Sequence, residues 1–154
     1  MDRTSINSKE IQADIEAVFK AFTDKKALEY WLAPYGMTGI IHNFDLKVGG
    51  GYEMSLYYND NKIEGKTSGN EDRFSATFME IIPYEKIVQN INFQTDNIDF
   101  QDEMIMEVYL EKVDTNSTKV IIIFKNIPPG VNPKDNEDGT EQSLKKLAKY
   151  VETC

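Results

Sequence analysis

Hydrophobic residues follow a helical period in the N-terminal part of the chain, after a short alternating segment at 8–14 that predicts a first strand. An apolar residue recurs every three or four positions in two successive stripes. The stripes consist of Ile15, Val18, Phe19 and Phe22, and of Ala27, Leu28, Trp31 and Leu32. Asp14 can cap the first helix, and Thr23 or Asp24 the second, because their side chains accept hydrogen bonds from free backbone N–H groups. Pro34 ends the second helix because its ring cannot continue the helical hydrogen bonds.

From Thr38 onward the hydrophobic period changes to two, which indicates β-strands. An alternating set of residues lies on each side of the glycines at 49–51, and each set is predicted to share one face of its strand. The sets are Ile40, His42, Phe44 and Leu46 before the glycines, and Tyr52, Met54, Leu56 and Tyr58 after them. Residues 59–72 are rich in turn formers. Further strands joined by hairpin turns are predicted at about 74–82, 86–94, 103–112 and 119–126.

A long amphipathic helix is predicted at the C-terminus, ending at Glu152. Its apolar stripe consists of Leu144, Leu147, Ala148 and Val151. Short connections between the strands predict antiparallel pairing, and the C-terminal helix is the only long element able to cover one face of the sheet. The order of elements predicts an α+β fold in a single domain over residues 1–154, with a flexible tail at residues 1–8.

The chain has 154 residues and a formal net charge of -9, which makes binding to nucleic acid or anionic lipid unfavourable. Cys154 is the only cysteine, so an internal disulfide is excluded and a reducing compartment fits. The N-terminus lacks an apolar signal core, and no apolar run approaches the roughly 18 residues of a membrane span. We therefore expect a cytoplasmic protein without membrane insertion.

The glycines at 49–51 raise the question of a phosphate-binding loop. An alternating strand follows them instead of a helix, and Met54 occupies the place of a third spaced glycine, so a hairpin corner is favoured. His42 is the only histidine, and without suitably spaced carboxylate or thiolate partners it predicts no metal site. Because His42 is in phase with Ile40 and Phe44, it is expected to face inward, as a structural residue or as a polar contact in a pocket. No cofactor is expected.

Two further sets of residues are candidates for a function. Glu53, Glu80 and Glu107 lie on separate predicted strands and could converge as acid–base groups, although solvated carboxylates on a sheet are the commoner case. Glu80 is in phase with Phe74 and Phe78, so it is expected to face inward. Met54, Met104 and Met106 are predicted to face inward, together with aromatic and aliphatic residues of neighbouring strands. Methionine adapts its shape, so this set suits either a pocket for apolar ligands or an ordinary core.

Four segments resemble the family named for the activator of the heat-shock protein 90 ATPase. They are "IQADIEAVFKAFTDKKALEYWLAPYG", "FDLKVGGGYEM", "FMEIIPYEKIV" and "NIPPGVNPKDNEDGTEQSLKKLAKYVE". Their order and spacing match the family from about Ile11 to Glu152. The resemblance implies a START-like (SRPBCC) helix-grip fold, in which a curved antiparallel sheet of about six to seven strands surrounds the C-terminal helix and two short helices follow strand one.

The same resemblance implies a cavity between the sheet and the long helix, which the superfamily commonly uses for lipids, hydrophobic metabolites or polyketides. The family often has Gly-Trp where this chain has Gly139-Thr140, and the loss of an indole could enlarge the pocket. The residues expected to line it are Trp31, His42, Phe44, Tyr52, Met54, Leu56, Phe78, Ile91, Phe93, Met104, Met106, Thr140, Leu144 and Leu147.

Three functions are compatible with the sequence. The first is a non-enzymatic protein that binds a small hydrophobic molecule, with His42 or a tyrosine orienting the ligand. The second is a module that binds a chaperone or another protein through its acidic surface. The third is a cavity enzyme, such as a cyclase or hydrolase, whose turnover would depend on Glu80, Glu107 or His42. The chain could be a monomer or a homodimer formed through exposed strand edges.

Overall fold

The computed structural model describes residues 3–60, 62 and 69–152. Its elements in chain order are β1 (Ser5–Ile11), α1 (Ile15–Thr23), α2 (Lys25–Trp31), β2 (Met37–Phe44), β3 (Gly51–Tyr58), β4 (Glu71–Ile82), β5 (Lys86–Phe93), a 3-10 turn (Ile98–Phe100), β6 (Met104–Asp114), β7 (Ser117–Lys125) and α3 (Pro133–Glu152). Within these ranges, no helix has the length and apolar character that crossing a membrane requires.

The seven strands form one antiparallel sheet in the order β1-β7-β6-β5-β4-β3-β2. The sheet curls into a half-barrel around α3, and its inward residues form one hydrophobic core with the helices. The α+β helix-grip fold predicted from the sequence is confirmed. From Met104 to Leu110 the alternation in β6 is uninterrupted, and its inward side chains are buried, including Met104 and Met106, which were predicted to face inward.

The helix caps anchor α1 and α2 in the predicted places. The Asp14 side chain accepts a hydrogen bond from the backbone N–H of Ala17 at 2.8 Å, and Asp24 accepts one from Ala27 at 3.1 Å. These bonds satisfy donors that the first turn of a helix leaves free. Thr23, the alternative cap, instead belongs to the last turn of α1.

The N-terminal strand begins earlier than the sequence indicated. β1 starts at Ser5 and pairs with β7 as far as Ile11, so residues 5–8 lie in the sheet, where a flexible tail was expected. Before the strand, the Arg3 guanidinium donates hydrogen bonds to the backbone oxygens of Ile127 at 2.7 Å and Pro128 at 2.8 Å. Arg3 therefore ties the start of β1 to the segment that leads into α3.

Two β-bulges change which side chains face the core. In β2 the register shifts between Ile41 and Asn43, so Ile41 is buried and His42 is exposed. In β4 it shifts between Phe78 and Glu80, which places Glu80 opposite the outward-facing Val88. A bulge adds one residue and reverses the alternation beyond it. The inward orientations predicted for His42 and Glu80 are therefore wrong.

The triple glycine forms the corner between β2 and β3, as predicted. Gly49 has φ +88°, a conformation that suits glycine because it has no Cβ. A Cβ on Gly51 would lie 1.8 Å from the backbone oxygen of Ala76 on β4, so only glycine allows this approach. The backbone N–H of Gly49 donates to the backbone oxygen of Phe78 on β4 at 2.8 Å, so this donor already has a partner within the protein.

Helix α2 lies directly on the edge strand β2. A Cβ on Gly39 would lie 2.8 Å from the backbone oxygen of Glu29, which shows how closely the helix approaches the strand. The Glu29 side chain also accepts a hydrogen bond from the backbone N–H of Ile41 at 2.7 Å. The helix thus satisfies one of the donors that an edge strand leaves unpaired.

Candidate functional site

A cavity of about 470 Å³ lies between the inner face of the sheet, α3 and the end of α2. Five strands contribute side chains to it, from β3 to β7, and β2 contributes Met37. Its volume falls in the range of about 300–1,000 Å³ that is typical of small-molecule sites. The wall is largely apolar, and aromatic and aliphatic side chains dominate its sheet side, which also includes Asp72. The other polar residues of the wall lie mostly in α3 and the loop before it.

The structure brings together many of the residues predicted to line a pocket. Those in the cavity wall are Trp31, Tyr52, Leu56, Ile91, Phe93, Met104, Met106 and Thr140. They come from α2, from the three strands β3, β5 and β6, and from α3, so the curvature of the sheet is what gathers them. Their contact with a ligand stays a prediction.

The other residues predicted for the wall lie elsewhere. Met54, Phe78, Leu144 and Leu147 are at most 2% exposed and belong to the packed core. Phe44 packs against the same core, with its ring centroid 5.9 Å from that of Tyr52. His42 lies on the outer face, and its Nε2 is 2.8 Å from Ser55 Oγ, which in turn donates to Glu71.

Two polar pairs involve residues of the cavity wall. Tyr52 is 4% exposed, and its hydroxyl donates to Gln89 Oε1 at 3.0 Å. Burial raises the pKa of Tyr52 well above its usual range, so the phenol keeps its proton. The Tyr58 hydroxyl donates to Oδ2 of Asp72 at 3.2 Å, and Asp72 is only 3% exposed.

Asp72 was missed by the sequence reasoning because residues 59–72 were interpreted as a turn-rich connection. β4 instead begins at Glu71, and Asp72 lies opposite the inward-facing Leu56. The alternation of Asp72 with Phe74 and Ala76 was the available signal. Asp is uncommon in strands, and this kept the segment out of the predicted strand.

The helix side of the cavity consists of the first turns of α3 and the loop before it. Asn132 caps this helix, because its Oδ1 accepts from the backbone N–H of Lys134 at 2.8 Å. Thr140 is buried and its hydroxyl donates to the backbone oxygen of Asn136 at 2.8 Å. The hydroxyl hydrogen of Thr140 is therefore used within α3, and the residue is part of the cavity wall.

The three glutamates proposed as acid–base candidates lie on the outer face of the sheet, in separate ion pairs. The pairs are Glu53 with Arg73, Glu80 with Lys86 at 2.9 Å, and Glu107 with Lys125 at 3.2 Å. The Arg73 guanidinium, chiefly through its hydrogen bond, lowers the pKa of the Glu53 carboxyl. These residues are not part of the cavity wall, so the geometry does not support the acid–base group considered for them.

Metal binding has no support in the described residues. Among residues 3–60, 62 and 69–152, no group of three or more histidine, cysteine, aspartate or glutamate side chains is arranged to hold an ion.

Known structures share this fold over nearly the whole chain. A crystal structure of a protein from Chromobacterium violaceum matches with a TM-score of 0.86 and 29% identity, covering 97% of each chain. A solution structure of an Arthrobacter aurescens protein matches with a TM-score of 0.81 and 18% identity, covering 98% of this chain and 87% of that one. A Staphylococcus epidermidis protein matches with a TM-score of 0.74 and 17% identity, covering 99% and 92%.

No curated protein matches the chain. A family model does, and it covers residues 12–152, which contain the helices α1, α2 and α3, the strands from β2 to β7 and every part of the cavity wall. The match agrees with the four segments that resemble this family in the sequence. The chain therefore belongs to the family described as Activator of Hsp90 ATPase homolog 1-like protein.

Proposed function

We propose that this protein binds a small hydrophobic molecule in the cavity between the sheet and α3, without acting on it chemically. The observation that carries the proposal is a cavity of about 470 Å³ with a largely apolar wall in a chain of this family. Its volume equals that of about 16 water molecules in the liquid. Transfer of a matching apolar surface from water into such a wall supplies the affinity, at about 25 cal/mol for each Å² buried.

Occupancy of the cavity can be tested by filling it. Thr140→Trp returns an indole to the wall, and Glu141→Trp places the same group on the exposed neighbouring position as a matched control. Native mass spectrometry of the purified protein with a panel of lipids and hydrophobic metabolites is expected to give a bound species. That species should weaken in Thr140→Trp and persist in Glu141→Trp.

Two results would count against the proposal. One is a protein that binds no member of the panel and no environment-sensitive apolar dye. The other is equal binding by the two tryptophan variants, which would place the bound molecule outside the cavity.

A second candidate is a co-chaperone-like module, and the family match is the observation that favours it. The net charge of -9 suits a basic surface on the partner. This function predicts a salt-sensitive complex with a heat-shock protein 90 chaperone and a higher ATPase rate. Thr140→Trp should leave this stimulation unchanged because Thr140 is buried, and absence of a complex at low salt would argue against the candidate.

A further inference from the structure

Part of the cavity wall belongs to a segment without helix or strand, residues 127–131 between β7 and α3, which we call the wall segment. Gly130 and Val131 of this segment line the cavity. Pro128 and Pro129 stand directly before them and carry no backbone N–H, so they cannot anchor the segment by donating hydrogen bonds. The position of this part of the wall therefore depends largely on groups that bind its backbone from other parts of the chain.

The half-buried Arg3 side chain binds four backbone oxygens of the wall segment. Its Nε donates to Ile127 at 2.7 Å, and its Nη2 donates to Pro128 at 2.8 Å and to Pro129 at 3.4 Å. A further hydrogen bond joins Nη2 to the oxygen of Val131. The guanidinium suits this role because it is planar, permanently charged and made up only of donors.

A second contact holds the wall segment at Gly130. The backbone N–H of Gly130 donates to the backbone oxygen of Asp99 at 2.7 Å, and a Cβ on Gly130 would lie 2.6 Å from the ring of Phe100. This contact fixes one point of the segment, whereas Arg3 binds four of its carbonyl groups. Carbonyl oxygens that lose their donor pay for the lost hydrogen bonds, so removal of the guanidinium favours a rearrangement of the segment.

We propose that Arg3 is a positioning residue of the ligand-binding cavity, which sets the affinity for the ligand by holding the wall segment in its binding arrangement. This inference rests on the proposed function, since it concerns the same cavity. Arg3 is outside the cavity wall, so it acts through Gly130 and Val131 and not by touching the ligand. The apparent affinity is the intrinsic affinity multiplied by the fraction of molecules whose wall is in place.

Arg3→Met tests the inference, because it removes every donor of the side chain and keeps an unbranched apolar stem. The probe is N-phenyl-1-naphthylamine, an uncharged dye that fluoresces more strongly in apolar surroundings. Its Kd is expected to rise about tenfold, which corresponds to a wall segment in place in about a tenth of the molecules. Two controls should keep the Kd within about twofold. Lys9→Met removes a positive charge from β1 outside the wall, and Asp14→Ala destabilises the fold by removing the cap of α1, a helix that contributes no residue to the wall.

Hydrogen exchange provides a second measurement that separates a local effect from a general loss of stability. The N–H groups of Gly130 and Val131 donate to backbone oxygens at 2.7 and 2.9 Å, so their exchange reports opening of the wall segment. Arg3→Met should speed their exchange and leave that of β6 unchanged. If Arg3→Met does not fold, Arg3→Lys takes its place, since lysine keeps the charge without the planar fork, and it should raise the Kd at least about threefold.

The outcomes separate the two proposals. An unchanged Kd in Arg3→Met, or in Arg3→Lys where only that variant folds, would overturn the role of Arg3 and leave the ligand-binding function intact. An equal loss of affinity in Asp14→Ala, or faster exchange throughout the sheet, would also overturn it, because general destabilisation would then explain the result. Failure of the unaltered protein to bind the dye would overturn this inference and count against the ligand-binding function as well.

Discussion

Removing the hydroxyl of Tyr52 is predicted to destabilise the fold, because it leaves a buried acceptor without its donor. Gln89 is 2% exposed, and its Oε1 accepts from the Tyr52 hydroxyl at 3.0 Å. A buried polar atom that loses its partner costs about 1–3 kcal/mol. Tyr52→Phe should therefore lower the free energy of unfolding by that amount and the Tm by about 2–4 °C for each kcal/mol.

Urea denaturation at about 25 °C measures the effect, with an unchanged m-value as the check that the unfolding reaction is the same. Tyr35→Phe is the control, since Tyr35 is 59% exposed and its hydroxyl can bond to water, so its effect should stay within about 0.5 kcal/mol. Gln89→Met combined with Tyr52→Phe removes donor and acceptor together and should be less destabilising than the sum of the single changes. A neutral Tyr52→Phe, or strict additivity, would refute the reasoning.

Three further predictions concern the framework around the site. Because Arg73 lowers the pKa of Glu53, their pair stabilises the fold fully above the ordinary glutamate pKa of about 4.3, and this contribution is lost as the pH falls through the lower folded value. Urea titrations from about pH 6 to about pH 3 should thus show a shallower acid loss of stability in Glu53→Gln than in the unaltered protein; equal slopes would contradict this. Gly51→Ala should lower the free energy of unfolding by about 3 kcal/mol or more, because the added Cβ would overlap the backbone of Ala76. An unchanged Tm in thermal melting would disprove that close contact. Asp24→Ala should lower the free energy of unfolding by about 0.5–2 kcal/mol, because it removes the cap of α2. Asp24→Ser, which keeps a capping oxygen, should be more stable than Asp24→Ala, and equal stability of the two variants would contradict capping as the cause.

The sequence predicted the fold well where the periodicity was regular. The alternation from Met104 to Leu110 correctly predicts which side chains of β6 face inward, because the pairing of β6 with β7 is regular over this range. The same reasoning failed at His42 and Glu80, since a bulge in β2 and another in β4 reverse the alternation. A bulge depends on pairing between strands, and a one-dimensional pattern does not contain that information.

The cavity was harder to predict than the fold. Alternation shows that a side chain faces inward, but not whether it meets another side chain or an open space. Met54 and Met106 both face inward, yet Met54 is packed in the core and Met106 lines the cavity. The difference is set by how far α3 and α2 stand from each part of the sheet, and this distance is a property of the assembled fold.

The contact between Glu29 and the edge strand also bears on aggregation. Another chain that added a strand to β2 would need the backbone N–H of Ile41, which already donates to the Glu29 carboxylate. It would also have to match the bulge between Ile41 and Asn43, whose irregular spacing does not fit a straight incoming strand. Helix α2 and the bulge thus make this edge a poor template for the growth of intermolecular sheets. Loss of the Glu29 carboxylate should make aggregation through β2 more favourable.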